Sequence, residues 1–187
     1  MYTASSLVKK LSYHLQDALN ACTLRWKGTE KTDEYVEKKP TVYAFTYDNL
    51  SDGLPIDTPC VLVQVTRVSD GVVSIAIHCA VCNPATQDKE ITKAVLGESE
   101  IFEYLTTSDI DTSCVRSELY RACLDLGEYI YTSIHRMDNN SWSFENIVLT
   151  PPSPYMEYFP YCECIVTFDA SLPEIDSVLD TKVAEFL

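Results

Sequence analysis

Glycine and basic residues are scarce in this sequence of 187 residues, and each shortage excludes a class of function. There are only 5 glycines, and neither a GxGxxG nor a Walker motif occurs, so no phosphate-cradling loop is predicted. The 14 Lys and Arg residues face 28 Asp and Glu residues, which gives a formal net charge of -14. Because an acidic surface repels the phosphate backbone, we expect no specific nucleic-acid binding.

Long apolar runs are also missing. The longest near-continuous run, residues 72–81, is interrupted by Ser74 and His78 and is far shorter than the roughly 18 residues that a membrane helix needs. The N-terminal residues MYTASSLVKK lack the apolar stretch of a secretory signal. We therefore predict no membrane partner, and a protein that works in the cytosol or in a particle assembled there.

The length and a hydrophobic content of 46% favour one domain over residues 1–187. The 8 cysteines could pair completely, but a chain of this size needs no disulfide staples. Most of them lie inside apolar patterns, where a free thiol behaves as a small hydrophobic group. We predict reduced and mostly buried thiols, including Cys60, Cys79, Cys114, Cys123, Cys162 and Cys164.

The charge is unevenly spread along the chain. Residues 1–40 hold 7 Lys or Arg and 5 Asp or Glu, whereas residues 41–187 hold 7 and 23. The most basic stretch is the segment 23–40, which shows no sustained apolar period and is predicted to be a basic arm or loop. Its positive side chains are Arg25, Lys27, Lys31, Lys38 and Lys39.

Hydrophobic periodicity predicts an α+β fold, with a mainly antiparallel sheet and two main helices packed on one face. The first helix is expected over residues 5–22 with Ser5 or Ser6 as its N-cap, and the second from Thr112 or Ser113 to Met137. Gly127 lies inside the second helix and predicts a close approach to another backbone. Strands are expected at 41–47, 60–68, 72–82, 143–149 and 161–168, with a long connector at 83–111, a short helical piece near 89–96 and an acidic tail at 169–187.

Four cysteines form the sharpest candidate for metal chemistry: Cys79, Cys82, Cys162 and Cys164 could supply the thiolates of a tetrahedral zinc site. Against this, residues three apart in a strand point to opposite faces. A redox role for the Cys79-x-x-Cys82 motif is weaker, because Asn83-Pro84 follows it instead of a helix. No signature of nucleophilic catalysis is present, so the prediction is a protein that is not an enzyme and needs no cofactor.

A cluster of prolines and aromatic residues precedes the last strand, in the sequence PPSPYMEYFPY. Aromatic residues and Met are enriched at protein interfaces, and a rigid loop over the edge of the sheet is an equally good interpretation. Tyr155, Tyr158 and Phe159 are therefore interface candidates, together with the basic residues of the segment 23–40.

Four features in order resemble the tail terminator, or tail completion, proteins of long-tailed phages and prophages. They are an N-terminal amphipathic helix (LVKKLSYHLQDAL), a Pro-led strand and its successor (TPCVLVQV, VVSIAIHCAVCN), a long helix after an acidic connector (SCVRSELYRACLDLGEYIYTSI), and a closing Pro-aromatic strand (PYMEYFPYCECIVTFDASLP). Together they span most of residues 5–173. The segments 23–40 and 83–111 look longer than the family pattern.

The resemblance implies a structural virion component. Such a protein would form a homohexameric ring at the head-proximal end of the tail tube and join it to the neck or connector, with the tail tube protein and neck proteins as partners. Its location would be the virion, after assembly in the host cytoplasm. The alternatives are another neck ring, such as a head-completion protein, or a soluble metal-binding or thiol protein centred on the clustered cysteines.

Overall fold

The computed structural model describes residues 3–27, 35–46, 50–51, 54–55, 58–82, 112–137, 142–153 and 161–171. In chain order the elements are α1 (Ala4–Leu19), β1 (Leu24–Lys27), β2 (Tyr35–Lys38), β3 (Thr41–Ala44), β4 (Leu50–Ser51), β5 (Leu54–Pro55), β6 (Cys60–Ser69), β7 (Val72–Cys82), α2 (Thr112–Arg136), β8 (Ser143–Thr150) and β9 (Tyr161–Ser171). The predicted α+β class is confirmed.

The main sheet has five strands in the order β3-β6-β7-β9-β8. Neighbouring strands in this sheet run antiparallel, except β3 and β6, which run parallel. The strands predicted at 60–68 and 72–82 are present as β6 and β7 and form an antiparallel hairpin. It turns through Asp70 and Gly71, whose φ angles of 50° and 77° match the two left-handed residues of a type I′ turn.

The core lies on one face of this sheet, which we call the inner face. On β7 it takes the alternate residues Val73, Ile75, Ile77, Cys79 and Val81, and β9 contributes its own alternate set opposite them. Both helices pack there: α1 contacts β3 and β6, and α2 contacts β7, β8 and β9. The apolar stripes of α1 and α2 are buried in this same cluster, as their helical spacing predicts.

The first helix differs from its prediction at both ends. Thr3, rather than Ser5 or Ser6, is the N-cap: its Oγ1 accepts the Ser6 N–H at 3.1 Å, and the Thr3 N–H donates to Ser6 Oγ at 2.9 Å. This reciprocal pair is a capping box with serine in the position usually taken by Glu or Gln. The helix ends at Leu19 instead of Cys22.

The segment 23–40 is the main correction to the predicted organisation. Instead of an irregular arm or loop, β1 and β2 pair as an antiparallel hairpin, with Arg25 opposite Glu37. Leu24 and Trp26 are buried against the body, and β1 packs on α2. The prediction missed the hairpin because Leu24 and Trp26 alternate with charged residues over only one repeat. Two apolar side chains are too few to reveal the alternation typical of a strand.

Several predictions fall outside the described residues. These are the connector 83–111 with its helical piece near 89–96, Lys31, the aromatic residues Tyr155, Tyr158 and Phe159, and residues 172–187 of the predicted tail. Residues 169–171 of that tail belong to β9. Within the described part of the chain, no helix is long and apolar enough to cross a membrane.

Candidate functional site

The predicted cysteine cluster divides between the two faces of the sheet. Cys79 and Cys164 are opposite one another across β7 and β9, and Cys162 is two residues from Cys164 on the inner face. Cys82 is buried but lies on the other face of β7, because it is three positions after Cys79 in the strand. Among the described residues, no group of three or more His, Cys, Asp or Glu side chains is arranged to hold a metal ion.

A different thiol, Cys123 of α2, completes the inner-face group. Its Sγ donates to the Cys79 carbonyl at 3.5 Å, and the Cys164 Sγ donates to the Cys123 carbonyl at 3.2 Å. The thiols also hydrogen-bond one another. These bonds, followed by burial, raise the pKa of Cys79 and Cys123. For Cys164 the effect is reversed: the hydrogen bonds from the Cys123 and Cys79 thiols lower its pKa, although its burial alone would raise it.

The inner-face thiols pack closely against Gly127 of α2. A Cβ added at Gly127 would come within 2.5 Å of the Cys164 Sγ and 3.0 Å of Leu149 Cδ1. The helix does approach the sheet closely at this glycine, but the prediction of another backbone there was wrong, because the nearest atoms belong to the side chains of Cys164 and Leu149. The predicted burial of Cys60, Cys79, Cys123, Cys162 and Cys164 is also confirmed. Of these thiols, Cys123 on α2 links the helix to Cys79 and Cys164 of the sheet through hydrogen bonds.

The outer face of the sheet, on the side away from the helices, carries two polar groups. His78 Nδ1 lies 2.9 Å from Glu163 Oε1, with side-chain exposures of 25% and 50%. Asp169 accepts from Ser74 Oγ at 2.7 Å and from Asn146 Nδ2 at 2.9 Å. The bond from Ser74, then that from Asn146, lowers the pKa of Asp169. These contacts join β7, β8 and β9 on the surface.

The two edges of the main sheet differ in how their backbone groups are used. At the β3 edge, the Val42 N–H donates to the Gln16 side-chain oxygen of α1 at 2.9 Å, so a side chain satisfies this one outward-facing backbone group. At the β8 edge, no described strand pairs on the side away from β9. Exposed strand edges are templates for pairing with another chain.

A groove lies beside the β8 edge. It has a volume of about 530 Å³ and is lined by Glu128, Tyr131 and Thr132 of α2 and by Ile147, Val148 and Leu149 of β8. Val148 is 53% exposed, which is unusual for a large apolar side chain in a strand. A β-bulge at Asn146, whose φ is 54°, separates the first part of β8 from the groove-lining part. The groove is thus apolar along β8 and carries the exposed Glu128 on α2.

The basic interface candidates belong to the β1–β2 hairpin and its base. Lys38 Nζ donates to the Thr58 carbonyl at 3.3 Å, and Lys39 Nζ donates to the Asn20 carbonyl at 3.0 Å. Arg25 lies 3.5 Å from Glu37 across the hairpin. Lys27 ends β1. The structure therefore places Arg25, Lys27, Lys38 and Lys39 on or next to the β1–β2 hairpin, and two of these lysines bond backbone carbonyls outside it.

A second cavity, of about 540 Å³, lies between the start of this hairpin and α2. Its lining includes Arg25, Glu118, Arg121 and Asp125, and Arg121 bonds Glu118 at 2.6 Å. Because its cations are matched by neighbouring carboxylates, its walls do not select a ligand of one charge. Tyr129, also in the lining, donates to the Ala18 carbonyl at 2.9 Å and ties α2 to the end of α1.

Three features could not be identified from the sequence: that β8 is an edge strand, that a groove lies beside it, and that Gln16 bonds the β3 edge. Alternation predicted the strand at 143–149, but alternation carries no information about strand order, which alone makes β8 an edge. Comparison with family models, with curated proteins and with solved structures finds no match to this chain.

Proposed function

We propose that this protein is a non-enzymatic structural subunit that forms a ring, and that the ring is the tail terminator of a long-tailed phage or prophage. The ring would close the head-proximal end of the tail tube and join it to the neck or connector. Its partners would be other copies of the chain, the tail tube protein and neck proteins. The protein would be part of the virion after assembly in the host cytoplasm.

The observation that carries the proposal is the unequal treatment of the two sheet edges. At the β3 edge a helix side chain accepts the N–H of Val42 at 2.9 Å, whereas β8 has an apolar groove beside it and no described strand on its outer side. Two sheet edges that differ in this way among the described residues suit assembly by contacts between unlike surfaces, which close into rings when the rotation permits. The four sequence features that resemble the tail terminator family support the specific kind of ring.

The test is the mass of the purified protein by native mass spectrometry, with electron microscopy of the same sample. A homohexamer of this 21.1 kDa chain should have about six times that mass and appear as a six-fold ring. Addition of purified tail tubes should place the ring at one end of each tube. A protein that stays monomeric at high concentration and leaves the tubes bare would contradict the proposal.

A head-completion protein is the nearest alternative. It would also form a ring, but the ring would bind the head-side connector and not the tube. Separate binding assays with tubes and with connectors distinguish the two. The soluble thiol or metal-binding alternative is tested by the zinc content of the purified protein. Cys82 lies on the opposite face of the sheet from Cys79, which weighs against a four-thiol site.

A further inference from the structure

The buried thiols of the inner face lie next to the groove beside β8, and the proposed ring makes no use of them. We propose that hydrogen peroxide entering through this groove oxidises Cys164, and that Cys79 then forms a cross-strand disulfide with it. This inference goes beyond the proposed function, because it concerns the core of a single protomer and holds whether or not a ring forms.

Cys79 and Cys164 occupy positions from which a disulfide forms with little movement of the strands. They are directly opposite each other in the antiparallel pair β7–β9, and both side chains belong to the inner-face core. Directly opposite residues of antiparallel strands have Cα atoms about 4.5 or 5.5 Å apart, depending on the type of pair. Disulfides span Cα separations of about 4.4–6.8 Å. Both cysteines are reduced in the structure, so the bond is available to be formed.

The neighbouring thiols are less well placed as partners for Cys164. Side chains two positions apart on one strand, as at Cys162, stand roughly 6.6 Å apart, whereas directly opposite Cβ atoms are about 4.5–5.5 Å apart. Cys82 lies on the other face of β7. Cys123 belongs to α2, and its Sγ donates to the Cys79 main-chain carbonyl at 3.5 Å. The strand register therefore favours Cys79 as the partner.

Hydrogen bonds among the thiols prepare the Cys164 sulfur for oxidation. The thiolate is the form of cysteine that attacks a peroxide. When Cys164 loses its proton, the Cys123 and Cys79 thiols can donate to its sulfur, and these two bonds lower its pKa although burial opposes the shift. Hydrogen bonding to neighbouring thiols raises the pKa of Cys79 and Cys123. Cys164 is therefore the nucleophile of the group, while its two neighbours keep their protons.

The groove supplies a route to this buried sulfur. Cys164 is only 1% exposed, so an oxidant does not reach it directly from bulk water. A Cβ placed at Gly127 would contact both the Cys164 Sγ and Leu149 Cδ1, so the two side chains meet at the same point of α2. Leu149 also lines the groove and is half-buried. The Leu149 side chain is thus the barrier between the groove and the Cys164 sulfur, and hydrogen peroxide is small enough to pass when this side chain moves.

The reaction takes two steps. In the first, the Cys164 thiolate attacks one peroxide oxygen and the O–O bond breaks. The sulfur is oxidised to a sulfenic acid, and the released hydroxide takes up the proton that the thiol lost and leaves as water. In the second, the Cys79 sulfur attacks the Cys164 sulfur, the S–O bond breaks, and the departing oxygen takes the Cys79 proton to form a second water. Two thiols and one peroxide thus give one disulfide and two waters.

Peroxide treatment of the full-length protein tests the bond, followed by denaturation, alkylation with N-ethylmaleimide, digestion and tandem mass spectrometry. The wild-type protein should yield a pair of linked peptides in which Cys79 is joined to Cys164. This linkage should be absent from Cys79→Ala and Cys164→Ala. It should form in the matched controls Cys82→Ala and Cys162→Ala, each of which removes another buried thiol of the same strand.

The wild-type fragments identify the joined cysteines directly, so the result stands even if a variant does not fold. Linkage of Cys164 to Cys123 or to another thiol, or no linkage in the folded wild-type protein, would overturn the proposal. A wild-type protein that forms this disulfide but remains monomeric would refute the proposed ring and leave the present inference standing.

A second pair of variants tests the route. Leu149→Ala removes the barrier and should speed disulfide formation several-fold. Leu15→Ala deletes the same atoms from a fully buried position on α1, away from the groove, and should leave the rate unchanged. Far-UV circular dichroism establishes that both variants are folded. Equal rates for the wild-type protein and folded Leu149→Ala would refute the groove as the route.

Discussion

The substitution Gly127→Ala tests whether α2 sits on the sheet as closely as the structure indicates. In an exposed helix, replacing glycine by alanine stabilises by about 1 kcal/mol. Here the new Cβ would lie 2.5 Å from the Cys164 Sγ and 3.0 Å from Leu149 Cδ1. Overpacking of a well-filled core costs about 1–3 kcal/mol. Since Cys164 is itself buried against Cys79 and Cys123, we expect the upper part of that range and a net loss of about 1–2 kcal/mol.

Urea denaturation followed by circular dichroism measures this change in the free energy of unfolding. The informative comparison adds Cys164→Ala, alone and together with Gly127→Ala. Without the sulfur, the nearest Cys164 atom is the Cβ at 3.7 Å, and the glycine substitution should become neutral or mildly stabilising. The double-mutant cycle of Gly127→Ala and Cys164→Ala should therefore show a coupling free energy of about 1–3 kcal/mol between the two positions. A Gly127→Ala variant stabilised by about 1 kcal/mol in the native background would refute the close packing.

Three further substitutions test separate parts of the structure. Trp26 is fully buried and its Nε1 has no hydrogen-bond partner among the residues that the structure describes, so Trp26→Phe should stay within about 1 kcal/mol of the native stability, because the loss of ring volume is offset by removal of that N–H. Trp26→Ala should lose about 3–5 kcal/mol in the same urea experiment, and equal losses for both would contradict this reasoning. Asp169 has a lowered pKa, so its stabilising bonds should be present at neutral pH and be lost as the pH falls through its folded pKa. Ser74→Ala should raise that pKa in an NMR titration, and the stability difference from the native protein should shrink below about pH 4; an unchanged pKa would count against the network. Val148→Lys places a charge on an exposed groove position and should abolish the ring while the far-UV circular dichroism spectrum stays native, whereas an unaffected ring would contradict a role for the β8 edge in assembly.

Much of the fold followed from local patterns. The two helices and the β6–β7 hairpin were predictable because each has a long apolar period and a recognisable start or turn, such as Asp70-Gly71. Helix ends were less accurate, since Thr3, Ser5 and Ser6 all offer a capping oxygen and only the backbone decides among them. The parallel pairing of β3 with β6 has no local signal at all.

The candidate surfaces were predictable only in part. The basic composition of 23–40 is visible in the sequence, but the hairpin that organises it depends on burying Leu24 and Trp26 against other elements. The hydrogen bond at the β3 edge joins Val42 to Gln16, a polar helix residue 26 positions away. A helix side chain that bonds a strand edge is a tertiary arrangement, and no period or spacing predicts it.

The central claim is that this chain assembles into a closed ring of six. Native mass spectrometry of the full-length wild-type protein, over a range of concentrations, measures this most directly. The account predicts a discrete species of six chains, seen as a six-fold ring by electron microscopy. A single 21.1 kDa species that persists at high concentration would contradict it.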